Sequence, residues 1–276
     1  MRSVDLHCHS DISDGTLTPA ALAARAQANG VHLWALTDHD ELDGIPAARA
    51  AATALGIGYV PGVEISVTWA GQTVHIVGLQ IDETDTHLQQ GLHDTRSGRQ
   101  RRAREMAEQL AQAGIPGAYE GASQFVTNPD LIGRTHFARF LIESGVCSDV
   151  PSVFKRYLIE GKPGFVAHRW ATLSQAVGWI RGAGGVAVVA HPGRYKFSKL
   201  VADEFFDDFK SLGGTAIEVM TGSHTVEQYA VYAKLAGHYG FAASRGSDFH
   251  GPGESRIDLG GLPPCPAGLV PVWRDW

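Results

Sequence analysis

Two hydrophobic periods alternate along most of this chain. Short apolar runs such as VHLWAL, VAVVA and AIEVM have the length and β-branched content of buried strands. Between them lie Ala- and Leu-rich stretches of helical period. TPAALAARAQANG carries Thr18 at the cap, Pro19 in the first turn and Gly30 past the end, the start and stop signals of a helix. GIPAARAAATALG is a second helix, stopped at Gly56, IGYVPGVEIS a third strand, and WAGQTVHIVGLQI a turn and a fourth strand. The alternation resumes with TLSQAVGWIRGAGG, VAVVAHPGR, FFDDFKSLGG, AIEVM, VEQYAVYAKLAGHYG and FAASRGSDFH. Such a pattern predicts a parallel sheet, open or closed into a barrel.

Residues from about 85 to 168 break the rhythm. THLQQGLHDTRSGRQRRAREMAEQLAQAG predicts one long helix, and HFARFLIESG and SVFKRYLIEGKPG predict shorter amphipathic ones. The expected organisation is a barrel formed by residues 1–98 and 169–276, with 99–168 inserted as a helical subdomain over it. Residues 99–169 hold ten Lys/Arg against seven Asp/Glu, whereas the remainder holds 13 against 22. A basic cap over an acidic site suits an anionic substrate; RQRRAR also reads as the solvated face of a helix. The tail GLPPCPAGLVPVWRDW predicts an irregular strap.

Composition narrows the class. Of 276 residues, 44% are hydrophobic and 19% charged, the balance of a globular protein. A net charge of -6 argues against a general nucleic-acid coat. Cys8, Cys147 and Cys265 lie far apart with no CxxC, so no disulfide framework or zinc knuckle is expected. With no apolar signal core and no run of membrane-spanning length, a cytoplasmic protein without membrane contact is expected.

Chemistry gathers at strand ends. His7 and His9, one residue apart, project to the same side of an extended strand, which fits either a polar strand end or a metal site. Later strands finish at His39, Glu64, His191, and Asp248 with His250. Parallel barrels build their sites on that C-terminal rim. His75 differs, at the start of a strand after a hairpin. Taken singly, each histidine reads as a satisfied core residue; several converging on one rim point to a metal cluster. Cys8, between two candidate ligands, should face away from them.

His7-x-His9, Asp14, TDHD with His39, Glu64, His75, AHP with His191, and Asp248-x-His250 resemble the PHP (polymerase and histidinol phosphatase) family of metal-dependent phosphoesterases, within the amidohydrolase-like superfamily. The resemblance covers the chain outside the insertion. It implies an α/β fold, a distorted (β/α)7 TIM-like barrel holding up to three divalent metal ions. By motif position, His7, His9, Glu64 and Asp248 would hold one ion. Glu64, His75 and His191 would hold a second, with Glu64 bridging, and Asp14, His39 and His250 a third. Asp14 stands where some relatives carry histidine, which makes the third site more oxygen-rich. Such a mixed donor set suits Mn²⁺, the metal expected here, or Zn²⁺ or Fe²⁺. Ions sharing a bridging hydroxide would aim it at phosphorus and neutralise the phosphoryl oxygens.

GRTHFARFL and EGKPGFV are similar to segments of a PHP subgroup acting on nucleotides, nucleoside 3',5'-bisphosphatases and 5'→3' exoribonucleases. Arg134, Thr135 and His136 sit at a helix start, where free N–H groups favour phosphate. Lys162 and Arg194 are further candidates for substrate binding; each of these cations also reads as a surface charge. The expected activity is hydrolysis of the 3'-phosphate of a nucleoside 3',5'-bisphosphate. The alternatives are a 5'→3' exoribonuclease on short 5'-phosphorylated RNA and, in another class, a catalytically silent metal- or nucleotide-binding module. Histidinol-phosphate hydrolysis fits the insertion less well. No obligate protein partner is expected.

Overall fold

A computed structural model describes residues 3–276. Seven strands form one sheet in chain order: β1 (Ser3–Asp5), β2 (Val31–Leu36), β3 (Gly58–Trp69), β4 (Gln72–Leu79), β5 (Val186–Val189), β6 (Ala216–Thr221) and β7 (Ala242–Gly246). Hydrogen bonds from Leu6 N to Arg245 O (3.0 Å) and from Asp248 N to His7 O (2.8 Å) return the last strand to the first. The sheet is thus a nearly closed barrel.

The expected parallel order is broken at β4, which pairs antiparallel with both β3 and β5. Ala70 and Gly71 join β3 to β4 with φ of 46° and 76°, a tight hairpin turn. So short a link leaves no length for the crossover a parallel neighbour needs.

Helices α1 (Pro19–Ala28) and α2 (Ile45–Leu55) pack Leu22, Ala26, Ala48 and Ala52 against Trp34 on β2. On the other side, α3 (Thr86–Arg96) and three later helices cover the barrel. Between them the chain forms α4 (Arg99–Gln112), α5 (Ala118–Ser123), α6 (Arg134–Glu143) and α7 (Val150–Val153), which runs into a π-turn over Phe154–Leu158. The covering helices are α8 (Leu173–Gly182), α9 (Lys199–Ser211) and α10 (Val226–Tyr239). The single long helix expected over this region is instead two, α3 and α4, parted at Ser97 and Gly98. A Cβ on Gly98 would lie 2.4 Å from the His168 ring, so this close approach requires glycine. The segment from α4 onward has its own apolar cluster, centred on Met106, Leu110, Phe137, Leu141, Val153 and Leu158.

Inside the barrel, Val4, Leu6, Ala35, Val60, Val77, Leu79, Val188 and Ala216 form a small dry cluster. Because strand side chains alternate, the inward faces run on from Val60 to Glu64, from Val77 back to His75 and from Ala216 to Glu218. The base of the barrel is apolar and its rim is ionisable. The tail lies as an irregular strap along β7, through Ala243 N to Val270 O (2.8 Å) and Val272 N to Ala243 O (3.0 Å).

One histidine fixes the turn after β5. Gly193 N–H donates to His224 Nε2 at 3.0 Å, while Gln228 Nε2 donates to Gly193 O at 3.2 Å. His224 Nε2 must therefore be the acceptor nitrogen, and Nδ1–H donates to Val219 O at 3.1 Å. Burial lowers the pKa of His224 to about 4 and keeps the ring neutral.

Phe137 is fully buried in the α4–α7 cluster, so Phe137→Ala is expected to cost about 3–5 kcal/mol. Leu200→Ala, at 75% exposure, is expected to stay within about 0.5 kcal/mol. Urea unfolding measures both, and equal effects would contradict the packing described. The stability contributed by neutral His224 is complete above pH 6.5, its ordinary value, and is lost as pH falls towards 4. Across that window wild type should lose about 2–3 kcal/mol that His224→Phe does not, seen by unfolding both proteins over the same pH range. A pH-independent difference between them would refute this.

Candidate active site

The rim of the barrel collects its polar groups by local pairing. His7 and His9 follow β1 on one side of the extended chain. Cys8 between them turns the other way, fully buried, its Sγ accepting from Trp34 Nε1 at 3.1 Å. After β2, Asp40 N–H donates to Glu64 O (2.9 Å) and Glu64 N–H to Asp38 O (3.2 Å), which sets His39 beside Glu64. Asp38 accepts from Ser10 N (2.7 Å), Ser10 Oγ (2.6 Å) and Ser13 Oγ (2.6 Å) and so shapes the loop that carries Asp14. Burial pushes the Asp38 carboxyl up to about 6.

Glu64 is the hub. Its Oε1 lies 2.9 Å from His191 Nε2, 3.0 Å from His75 Nδ1 and 3.3 Å from His7 Nε2. Its Oε2 lies 2.9 Å from His39 Nδ1 and 3.3 Å from His9 Nε2. Asp248 Oδ1 stands 3.5 Å from His7 Nε2 and 3.3 Å from His9 Nε2, which are themselves 3.1 Å apart. Asp14 is 3.4 Å from His250 and 3.9 Å from His9 and His39. All nine residues singled out in the sequence meet here. They gather as four overlapping sets: His9, Asp14, His39, His250; His7, His9, Asp248; His7, Glu64, His191; and His39, Glu64, His75. The sets overlap at Glu64, whose Oε1 faces both His75 and His191.

The donors fit divalent cations. His39 Nδ1 and Glu64 Oε2 face each other at 2.9 Å without hydrogen-bond alignment, and His9 Nδ1 and Asp14 Oδ1 are likewise buried without a hydrogen-bond partner, an unusual concentration of unsatisfied polar atoms. Donors about 2.1 Å from a shared ion sit roughly 3.0 Å apart in an octahedron and roughly 3.4 Å apart in a tetrahedron, the spacing seen around Glu64. Charge points the same way. Burial opposes ionisation of Glu64, yet His75, His7 and His39 hold it well below the usual carboxylate range. Burial likewise opposes a charge on His250, but Asp14 and then Asp248 raise it to about 9. Burial drives His9 and His191 down to about 3. The carboxylates draw positive charge, and the low-pKa imidazoles keep lone pairs free. Two donors also sit on left-handed backbone, His191 at φ 27° and Asp248 at φ 56°, costing about 1–3 kcal/mol each.

Glu218 was not singled out in the sequence. From the middle of β6 its Oε1 accepts from His7 Nδ1 at 2.8 Å and its Oε2 from His191 N at 2.6 Å. It orients one candidate ligand and pins the backbone of another. A lone Glu inside the apolar run AIEVM was the available signal.

Beside these donors, in the same cleft, stand Arg99, Arg102, Arg134 and Arg194. Arg99 is held by the Asp40 carboxylate, which also accepts from Ser66 N at 2.7 Å. The Arg99 and Arg102 guanidiniums lie 4.6 and 5.4 Å from the Trp170 ring centroid. Among the described residues, Arg102 and Arg134 have no carboxylate at ion-pair distance; burial and neighbouring guanidiniums lower them to about 9 and about 10. Reading RQRRAR as a solvated face holds for exposed Arg101 and Arg104 and fails for Arg99 and Arg102, which α4 turns inward one helical turn apart.

Of the other candidates, Thr135 lines the cleft, and Arg194 Nη1 donates to Asp248 Oδ2 at 3.0 Å. His136 is fully buried behind it, its Nδ1 accepting from Gly133 N at 3.0 Å at the start of α6. Lys162 is exposed on a turn, and the cleft is lined without it.

The PHP domain family model matches residues 5–93. A 3',5'-nucleoside bisphosphate phosphatase of Chromobacterium violaceum is 48% identical over 275 residues, spanning 100% of this chain and 96% of the relative. A 5'-3' exoribonuclease of Haemophilus influenzae is 40% identical over 275 residues, spanning 100% and 99%. The structure of an amidohydrolase from Chromobacterium violaceum, with bound sulfate and no metal, superposes with a TM-score of 0.96 at 48% identity over 99% of this chain and 95% of the other. Among the described residues, no helix is long and apolar enough to cross a membrane. The barrel, the His–carboxylate rim and these full-length matches agree: the chain belongs to the PHP family of metal-dependent phosphoesterases.

Proposed function

We propose that this chain is a phosphatase that removes the 3'-phosphate from nucleoside 3',5'-bisphosphates, giving a nucleoside 5'-monophosphate and inorganic phosphate. One observation carries the reading: a single cleft is lined both by members of the His–carboxylate rim, with Arg194 bonded to Asp248, and by Arg99, Arg102 and Arg134, enough for two phosphates. A mononucleotide with phosphates on both ribose oxygens needs both. The relative from Chromobacterium violaceum is a phosphatase of this type.

The rim would hold three divalent ions, Mn²⁺ by its mixture of imidazole and carboxylate donors. His7, His9, Glu64 and Asp248 would hold one, Glu64, His75 and His191 a second, and Asp14, His39 and His250 a third. Bound there, such ions would neutralise phosphoryl charge and lower the pKa of water. The chain's own residues do the rest. Arg99, Arg102 and Arg134, with Thr135, grip the 5'-phosphate by charge-assisted hydrogen bonds that leave the 3'-phosphate at the rim. Arg194, anchored on Asp248, reaches the oxygens of the phosphoryl group that departs. His136 acts indirectly by setting the start of α6. Residues 99–168 serve as the cap that brings in the arginines, over a barrel of 1–98 and 169–276. Three unpaired cysteines suit a cytoplasmic setting. The complete donor set disfavours a catalytically silent module.

Release of inorganic phosphate from adenosine 3',5'-bisphosphate by the Mn²⁺-loaded enzyme tests the proposal; no release would overturn it. Arg102→Ala should raise KM for the bisphosphate by about tenfold to a hundredfold. It should leave KM for adenosine 3'-monophosphate, which lacks the 5'-phosphate, nearly unchanged. Equal effects on the two substrates would contradict the assignment of that guanidinium.

A further inference from the structure

Of the three rim carboxylates, Asp14 stands farthest from a strand. Glu64 lies within β3 and Asp248 just beyond β7, whereas Asp14 sits in the loop between β1 and α1. The barrel side of that loop is fixed by Asp38, which accepts from Ser10 and Ser13. Its outer side meets α6 and the chain before it. Thr127 donates to Asp11 O. Arg139, in the second turn of α6, donates from Nη2 to Asp14 O at 2.6 Å. His136, three residues earlier on the same face of the helix, also lies against Ser13 and Asp14.

The same guanidinium holds a second loop. Its Nε and Nη2 donate to the two carboxylate oxygens of Glu254, at 2.8 Å each. Glu254 belongs to the loop that carries His250. His250 N–H donates to Ser255 Oγ (2.7 Å), and Ser255 N–H donates to Gly251 O (3.1 Å). Thr16 N–H donates to His250 O (2.7 Å), and a Cβ on Gly251 would lie 2.0 Å from Thr16 Oγ1, so the two loops run in direct contact. Neither Arg139 nor Glu254 lines the cleft at the rim. Both act through Asp14 and His250. Arg139 is buried, and a buried ion pair often stabilises no more than apolar residues of the same volume would. What this one adds is position, because one rigid planar group fixes two loops at once.

We propose that Arg139 is a positioning residue for the third ion. With Glu254 it makes retention of a cation by Asp14, His39 and His250 depend on the docking of α6, while the two ions that share Glu64 do not need it. The inference rests on the three-ion reading of the rim.

Mn²⁺ binding to the full-length chain, stripped of metal and followed by equilibrium dialysis, tests this in wild type, Arg139→Met and Glu254→Gln. Wild type should hold three ions. In each variant two should keep their affinity and one should weaken at least about tenfold. Glu254→Gln is nearly isosteric and keeps the test decisive if Arg139→Met does not fold. At limiting Mn²⁺, kcat of the variants for adenosine 3',5'-bisphosphate should fall, and excess Mn²⁺ should return it to within about twofold of wild type. A purely structural role for the pair would show no such rescue. Three tight ions in both variants, equal weakening of all three, or a kcat that excess Mn²⁺ leaves low would overturn the proposal while sparing the three-ion reading. Wild type holding fewer than three ions would remove that reading itself, and the role of Arg139 with it.

Discussion

A single buried carboxylate organises this protein. Glu64 has no exposed surface and faces five imidazoles within 3.3 Å. A lone carboxylate in so dry a place would protonate; this one is held ionised by the histidines around it. Removing Glu64 would leave clustered ring nitrogens facing one another with little to neutralise a cation between them. The barrel serves to hold that cluster, bringing β1, β3, β4, β5 and β7 and the extension of β2 to one rim.

Backbone and second-layer side chains resist the collapse of that rim. Glu218 ties His7 to the chain at His191, Asp38 braces the loop before Asp14, and His224 clamps the turn between His191 and Arg194. Left-handed φ at His191 and Asp248 persists because both flanking strands are fixed in the sheet. Preorganisation of this kind lets donors wait, partly unsatisfied, for a cation. Helix α4 uses the same logic with opposite charge. Asp40 joins Arg99 to Ser66 on β3, and Trp170 lies against Arg99 and Arg102, so positive charge is held rigidly beside the rim.

Much of this was legible in the chain itself. Most of the nine candidate ligands stood out because imidazole and carboxylate recur at the ends of apolar strands, where packing does not explain them. Helix starts at Thr18 and stops at Gly56 follow local capping rules and hold in the structure. Other features depend on contacts between distant residues. The need for glycine at Gly98 arises because the ring of His168, seventy residues on, lies where a Cβ would be. The inward turn of Arg99 and Arg102 is set by Asp40 and Trp170, so helical spacing alone could not separate them from Arg101. The approach of His75 to Glu64 depends on the hairpin register of β3 and β4, which places His75 opposite Ser66.

The account stands or falls on whether cations occupy the space around Glu64. Anomalous scattering at the manganese edge, from crystals grown in saturating Mn²⁺, locates them directly. Maxima within about 2.0–2.4 Å of Glu64 and its neighbouring imidazole nitrogens are expected. A featureless anomalous map at Glu64, with the nine side chains ordered and the metal in excess, would contradict it.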